Sequence, residues 1–218
     1  MSQKYPVVAI TGSSGSGTST VRESFQHIFT RDGINANVIE GDAFHKYERH
    51  EMDKLIQKNF QNYNVNFSHF SPDANLLTEL ADNFKTFGET GTYKTRRYIH
   101  TEEQARIYGQ KTGTMTPWNN STSELLFYEG LHGGYVGAEA DVAKYVDLLV
   151  GVVPIINLEW IQKLHRDKRI RGYSKEAVID TILNRMPDYI NYIAPQFSRS
   201  HINFQRVPLV DTSNPFIA

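Results

Sequence analysis

Pro6-Val7-Val8-Ala9-Ile10-Thr11-Gly12-Ser13-Ser14-Gly15-Ser16-Gly17-Thr18-Ser19-Thr20 is the stretch on which the reading of the whole chain turns. The apolar, β-branched run 6–10 predicts a buried strand, and Gly12 to Gly17 a turn. Residues 18–29 then place Val21, Phe25, Ile28 and Phe29 on one helical face. A glycine-rich loop between a strand and a helix turns backbone N–H groups and the positive end of a helix dipole toward one spot, which suits a phosphate chain. Gly12 and Gly17 have the G-x-x-x-x-G spacing of a P-loop, and Ser19 stands where a hydroxyl would ligate Mg²⁺. Gly12, Ser13, Ser14, Gly15, Ser16, Gly17, Thr18, Ser19 and Thr20 are therefore the candidate nucleotide-binding residues. Thr18 fills the position where that motif carries lysine, so the cation over the β- and γ-phosphates must come from elsewhere. A hydrogen bond to a charged group is worth roughly 1.5–3 kcal/mol, enough that a working phosphotransferase needs the replacement.

Two other readings of the loop stay open: a Gly/Ser turn with no ligand, and a dinucleotide fold. Gly15, Gly17 and Glu40 suit the second, but Thr20 replaces the third glycine that lets helix and strand pack closely. No Tyr-x-x-x-Lys pair and no guanine-reading Asn-Lys-x-Asp segment occurs in the sequence.

Outward from the loop, residues 37–39 read as a second strand ending at Glu40-Gly41-Asp42, and 125–128 and 148–153 as strands buried on both faces. Residues 45–60, 74–87, 158–169 and 175–186 read as helices, 91–100 as a hairpin, and 109–123 as a polar loop. Residues 202–210 are the last strand candidate, interrupted by Pro208. The expected fold is α/β, a mostly parallel central sheet flanked by helices. Length fits one domain, residues 1–218, with approximately 45–123 as a substrate-binding insertion.

Composition narrows the function. The 218 residues contain no cysteine, which excludes disulfides, thiolate metal sites and thiol nucleophiles. A net charge of −1, from 23 basic and 24 acidic residues, argues against a nucleic-acid partner held by bulk charge. No apolar run approaches a membrane span and no signal-peptide layout opens the chain, so a cytoplasmic location is expected.

Several side chains are candidates for chemistry. Asp42 follows the second strand, where open α/β sheets bind ligands, and could accept an alcohol proton while Arg49 holds an anionic group; a helix cap is the alternative. Glu129 ends an apolar strand and is a candidate Mg²⁺ carboxylate. Lys163, Arg166 and Asp167 fall on one helical face, and either cation could replace the missing loop lysine. Arg96, Arg97, Tyr98 and His100 form a cationic cluster that either binds a sugar phosphate or decorates a strand, and His132 stays unassigned.

Taken together, residues 11–20, Glu40-Gly41-Asp42-Ala43-Phe44-His45, Phe67-Ser68-His69-Phe70, Tyr128-Glu129-Gly130-Leu131-His132-Gly133, Asn157-Leu158-Glu159-Trp160-Ile161-Gln162-Lys163 and Asn203-Phe204-Gln205-Arg206-Val207-Pro208 closely resemble the phosphoribulokinases of the proteobacterial type. The resemblance implies a P-loop kinase that moves the γ-phosphate of ATP to the 1-hydroxyl of D-ribulose 5-phosphate, a Calvin-cycle reaction, with Mg²⁺. It implies Asp42 as catalytic base, Lys163 and Arg166 as catalytic cations, and Glu129 and Asp167 as acids near Mg²⁺. His45, Arg49 and Arg171, with Tyr98 and His100, are implied at the sugar phosphate. Threonine at position 18 is itself normal for this branch. Family members extend past position 218 with residues tied to homo-oligomer contacts and to NADH and AMP effects, for which Arg31 and Arg185 are candidate pieces. The alternatives are a kinase for another small alcohol, such as uridine, and a non-catalytic nucleotide-binding regulator.

Overall fold

The computed structural model describes residues 4–63, 67–209 and 211–216, without the side chains at positions 63, 170 and 171. Its strands are β1 (Val7–Thr11), β2 (Ala36–Glu40), β3 (Thr92–Thr95), β4 (Asn119–Thr122), β5 (Leu125–Gly130), β6 (Leu148–Val153) and β7 (Ile202–Gln205). The helices are α1 (Thr18–Arg31), α2 (Arg49–Tyr63), α3 (Leu77–Thr90), α4 (Glu102–Tyr108), α5 (Ile156–Arg171) and α6 (Lys175–Asp188). Five strands form a parallel sheet in the order β2-β5-β1-β6-β7, and β3 and β4 make a separate antiparallel ribbon.

The apolar runs β1, β5 and β6 are buried on both faces, as their unbroken hydrophobicity requires. On one face Leu77, Leu80, Phe84 and Phe87 of α3 pack against Val7, Ala9, Ile39 and Tyr128. On the other, Phe25 and Phe29 of α1 close on Phe127, with ring centroids 5.7 and 5.2 Å away. The result is the expected helix–sheet–helix sandwich. Helix α3, inside the stretch 45–123, belongs to its core.

Parallel strands place all their C-terminal ends on one edge, and the register makes that edge level. Thr11 pairs with Gly130, Glu40 with Glu129, and Val153 with Gln205. The chain leaves β1 into the phosphate loop, β2 into Asp42, β6 into α5 and β7 into Arg206, all on this edge. Gly41 is needed there: a Cβ would lie 2.6 Å from the Tyr128 Oη and 2.8 Å from the Gly130 Cα. Only a glycine lets the ends of β2 and β5 approach closely enough to bring Asp42 beside Glu129.

The middle of the chain differs from its sequence reading. Residues 91–100 form no hairpin of their own; β3 pairs instead with β4, which lies inside the stretch read as loop. Its strand Asn119-Asn120-Ser121-Thr122 is polar and mostly exposed, so no hydrophobic alternation marked it. Helix α4 was also missed. Thr101 caps it, accepting from the Gln104 N–H at 3.2 Å, so Thr-Glu-Glu-Gln was a capping signal of the kind that opens helices. Residues 41–44 form a 3₁₀ turn rather than helix, and α2 begins only at Arg49, so Asp42 does not cap it.

Candidate active site

The phosphate loop folds on itself before it meets any ligand. The Ser16 amide donates to the Ser13 carbonyl at 3.1 Å and its hydroxyl to the same oxygen at 2.8 Å, while the Thr20 amide donates to the Gly17 carbonyl at 3.1 Å. Gly17, at φ +103°, is the left-handed residue that turns the loop into α1. Gly12, Ser13, Ser14, Gly15, Gly17, Thr18 and Ser19 line a cavity of about 480 Å³; Ser16 and Thr20 do not. Ser16 turns its hydroxyl into the loop, and Thr20 stands exposed in the first turn of α1.

Helix α5 grips this loop from the side. Buried Ser13 donates to Glu159 at 2.6 Å, and Arg166 donates to the Ser14 hydroxyl at 2.8 Å. Burial pushes the Glu159 carboxyl up to about 7, against the pull of Ser13 and Lys163. Nothing local marks Glu159 as a partner of the loop, because an acid in the first turn of a helix is common as a complement to the helix dipole. Asp167 takes the Lys163 ammonium at 2.5 Å on one oxygen and the Arg166 guanidinium at 2.9 Å on the other. Burial, reinforced by Arg185, lowers the Lys163 pKa to about 8, although Asp167 pulls it back up.

Glu129 lines the phosphate cavity with Ser19, but Asp167 does not; Asp167 faces a second cavity of about 360 Å³. With both oxygens on cations, Asp167 is the counter-ion of Lys163 and Arg166, on a different cavity from Ser19 and Glu129. Glu129 accepts from Arg22 at 3.1 Å and from the Thr18 hydroxyl, and burial raises its pKa.

The second cavity holds the other predicted side chains. His45, Arg49, Tyr98, His100, Lys163 and Arg185 all line it. Asp42 stands where the two cavities meet, and Ser14, His100 and Leu131 are the other residues common to both. Its two oxygens contact His45 Nε2 and His100 Nε2, each at 3.1 Å. Burial alone would raise the Asp42 pKa, but the two imidazoles hold the carboxyl well below the ordinary range. The same contact, with the His45 Nδ1–H donating to the Asn75 Oδ1 at 3.0 Å, outweighs burial and raises the pKa of His45. Tyr98 bonds Arg49 and packs edge-on against His45, 5.8 Å between ring centroids. The Gln104 side chain accepts from the His100 amide at 2.7 Å, so the overlooked helix α4 sets the position of His100.

Arg96 is not a ligand-facing cation. It donates to the Ala43 and His45 carbonyls, both at 2.7 Å, and lies 4.4 Å over the Trp118 ring. It thus holds the turn that presents Asp42. His132 is a core residue whose Nε2–H donates to the Phe70 carbonyl at 3.0 Å, and burial pushes its pKa down to about 4. The side chain of Arg171 lies outside the described residues.

A glycine-rich loop after the first strand of a parallel sheet, with a carboxylate facing it across a cation-lined cavity, defines a P-loop kinase. The profile of the phosphoribulokinase/uridine kinase family matches residues 7–213, and the chain belongs to that family. It is 58% identical to the plasmid-encoded phosphoribulokinase of Cupriavidus necator over 220 residues, covering all of this chain and 75% of that one. The phosphoribulokinase of Nitrobacter vulgaris is 56% identical, over all of this chain and 76% of its own. The solved phosphoribulokinase from Rhodobacter spheroides superposes with a TM-score of 0.86 at 51% identity, covering 99% of this chain and 75% of that one.

Proposed function

We infer that the chain is a phosphoribulokinase, transferring the γ-phosphoryl group of ATP to the 1-hydroxyl of D-ribulose 5-phosphate. The observation that carries this is Asp42 at the junction of two cavities, one built around a phosphate loop and the other lined by cations. A phosphorylated sugar needs such cations, and Arg49, Lys163 and Arg185 supply them. Asp42 accepts the proton of the 1-hydroxyl, the hydroxyl oxygen bonds to the γ-phosphorus, and the bond from that phosphorus to the oxygen bridging to ADP breaks. The low pKa of Asp42 keeps it ionised at neutral pH, able to orient the hydroxyl and take its proton as the bond forms. Arg166 faces the nucleotide and Lys163 the acceptor, so the pair spans the path of transfer, and Asp167 fixes both. Charge placed this way substitutes for the loop lysine that Thr18 replaces.

Ser19 and Glu129 suit Mg²⁺ as hard oxygen donors at the phosphate cavity. Mg²⁺ in such sites takes part of its shell from substrate phosphates and water rather than from protein groups alone. When bound, Mg²⁺ neutralises charge on the phosphate oxygens. His45, His100 and Tyr98 are assigned to the sugar phosphate with Arg49. Among the described residues no helix is long and apolar enough to cross a membrane.

ADP release from Mg-ATP, measured with ribulose 5-phosphate, uridine, ribose 5-phosphate and no acceptor, tests the reading. Turnover is expected with ribulose 5-phosphate alone. Equal or faster turnover with uridine would overturn the choice of acceptor.

A further inference from the structure

We propose that Arg206 is a nucleotide-binding residue, a cation delivered to the phosphate loop by the last strand of the sheet. The inference rests on the nucleotide reading of that loop and adds a residue to it.

Topology places Arg206. β7 pairs with β6 up to Gln205 opposite Val153, so the next residue emerges on the edge where the loop lies. There the Arg206 side chain crosses Gly17. A Cβ on Gly17 would lie 3.0 Å from the arginine Cδ and 3.2 Å from its Nη1, so the guanidinium covers the glycine at the entrance to α1. Nη1 also donates to the Gln162 Oε1 at 3.0 Å, and both Gln162 and Gly17 line the nucleotide cavity.

The charge balance of the cavity gives this placement its meaning. Its lining carries two guanidinium groups, Arg22 and Arg166, against three carboxylates, Glu40, Asp42 and Glu129. Arg22 is paired with Glu40 and Glu129, and Arg166 with Asp167. An acid-rich cavity of this kind repels a polyphosphate unless cations are added. Arg206 has no carboxylate partner among the described residues; its recorded partner is the neutral amide of Gln162. Its charge is therefore not consumed by the protein, unlike those of Arg22 and Arg166. It is also largely exposed, so it can turn from Gln162 to an incoming phosphate. Guanidinium groups bind phosphate oxygens in parallel pairs of hydrogen bonds, which a lysine in the loop could not match in geometry.

The test is calorimetric binding of Mg-ATP and Mg-ADP to the wild-type chain and to Arg206→Ala, Arg206→Gln and Arg206→Lys, with melting temperatures and steady-state kinetics alongside. Arg206→Ala and Arg206→Gln should each weaken both nucleotides about ten-fold or more, with Arg206→Lys in between. The KM for ribulose 5-phosphate should stay within about two-fold. Full retention of affinity by Arg206→Gln would show that only the hydrogen bond to Gln162 matters, and would overturn the proposal. So would equal loss of ATP and sugar-phosphate affinity with a lowered melting temperature. A wild-type chain that binds no nucleotide would instead overturn the underlying reading of the loop.

Discussion

Arg96→Ala should damage catalysis without touching either substrate. The guanidinium makes two 2.7 Å bonds, to the carbonyl of Ala43 inside the turn that carries Asp42 and to that of His45 just after it. Hydrogen bonds from a charged donor contribute about 1.5–3 kcal/mol each, and stacking on a Trp face adds about 0.5–1 kcal/mol. That arginine is partly exposed and part of the loss is recovered by water, so about 2–4 kcal/mol of stability is expected to go. The turn then loses the clamp that fixes Asp42 against the transferring phosphoryl group. Misplacement of a reacting group by about 1 Å can cost on the order of 100-fold in rate. The assay is steady-state kinetics beside urea unfolding, at a temperature where the variant stays folded. kcat should fall 10- to 100-fold while the KM for ATP changes by less than about three-fold. Arg96→Lys, which can reach one carbonyl at a time, should recover stability more than kcat. A folded Arg96→Ala protein with kcat within two-fold of wild type would refute the positioning argument.

Lys163 should impose an alkaline limit. Its pKa is lowered to about 8, so the free enzyme loses this cation as pH rises through that value, and kcat/KM for ribulose 5-phosphate should fall above it. In Lys163→Arg the limb should move beyond the measurable range, whatever the residual rate; a limb that stays in place assigns it to another group. Glu159 acts on stability in the opposite sense to most acids. Its pKa rises from 4.5 unfolded to about 7 folded, so the folded chain holds its proton more tightly, and stability should fall as pH climbs from 4.5 to 7. Glu159→Gln, which can still accept from Ser13, should flatten that slope and gain up to about 3 kcal/mol at pH 8 by urea unfolding. Gly41→Ala should prevent β2 and β5 from closing, because the Tyr128 hydroxyl and the Gly130 backbone occupy the added methyl's space; circular dichroism and solubility would report it.

What the sequence revealed followed from how local its signals were. Strand–loop–helix at residues 6–29 is written in neighbouring residues, and the apolar runs 125–128 and 148–153 had nowhere to go but a buried sheet. The ribbon was illegible because β4 is polar and pairs with β3 across more than twenty intervening residues. Asp42, Lys163 and Arg166 could be nominated from strand ends and helix faces. Their partners could not: Ser13 to Glu159 and Arg166 to Ser14 each join residues about 150 positions apart. Asp167 shows the same limit, since spacing put it beside the two cations but could not say that they take both its oxygens.

The most direct test of the account is single-turnover transfer of the γ-phosphoryl group to ribulose 5-phosphate by wild type and Asp42→Asn, with binding of both substrates measured on the same preparations. Asp42→Asn should bind ATP and the sugar phosphate within a few-fold of wild type. Its transfer rate should fall by at least about 100-fold, the range over which a positioned base acts. Transfer at a near wild-type rate would remove Asp42 from the reaction and, with it, the claim that the two cavities meet at the catalytic base.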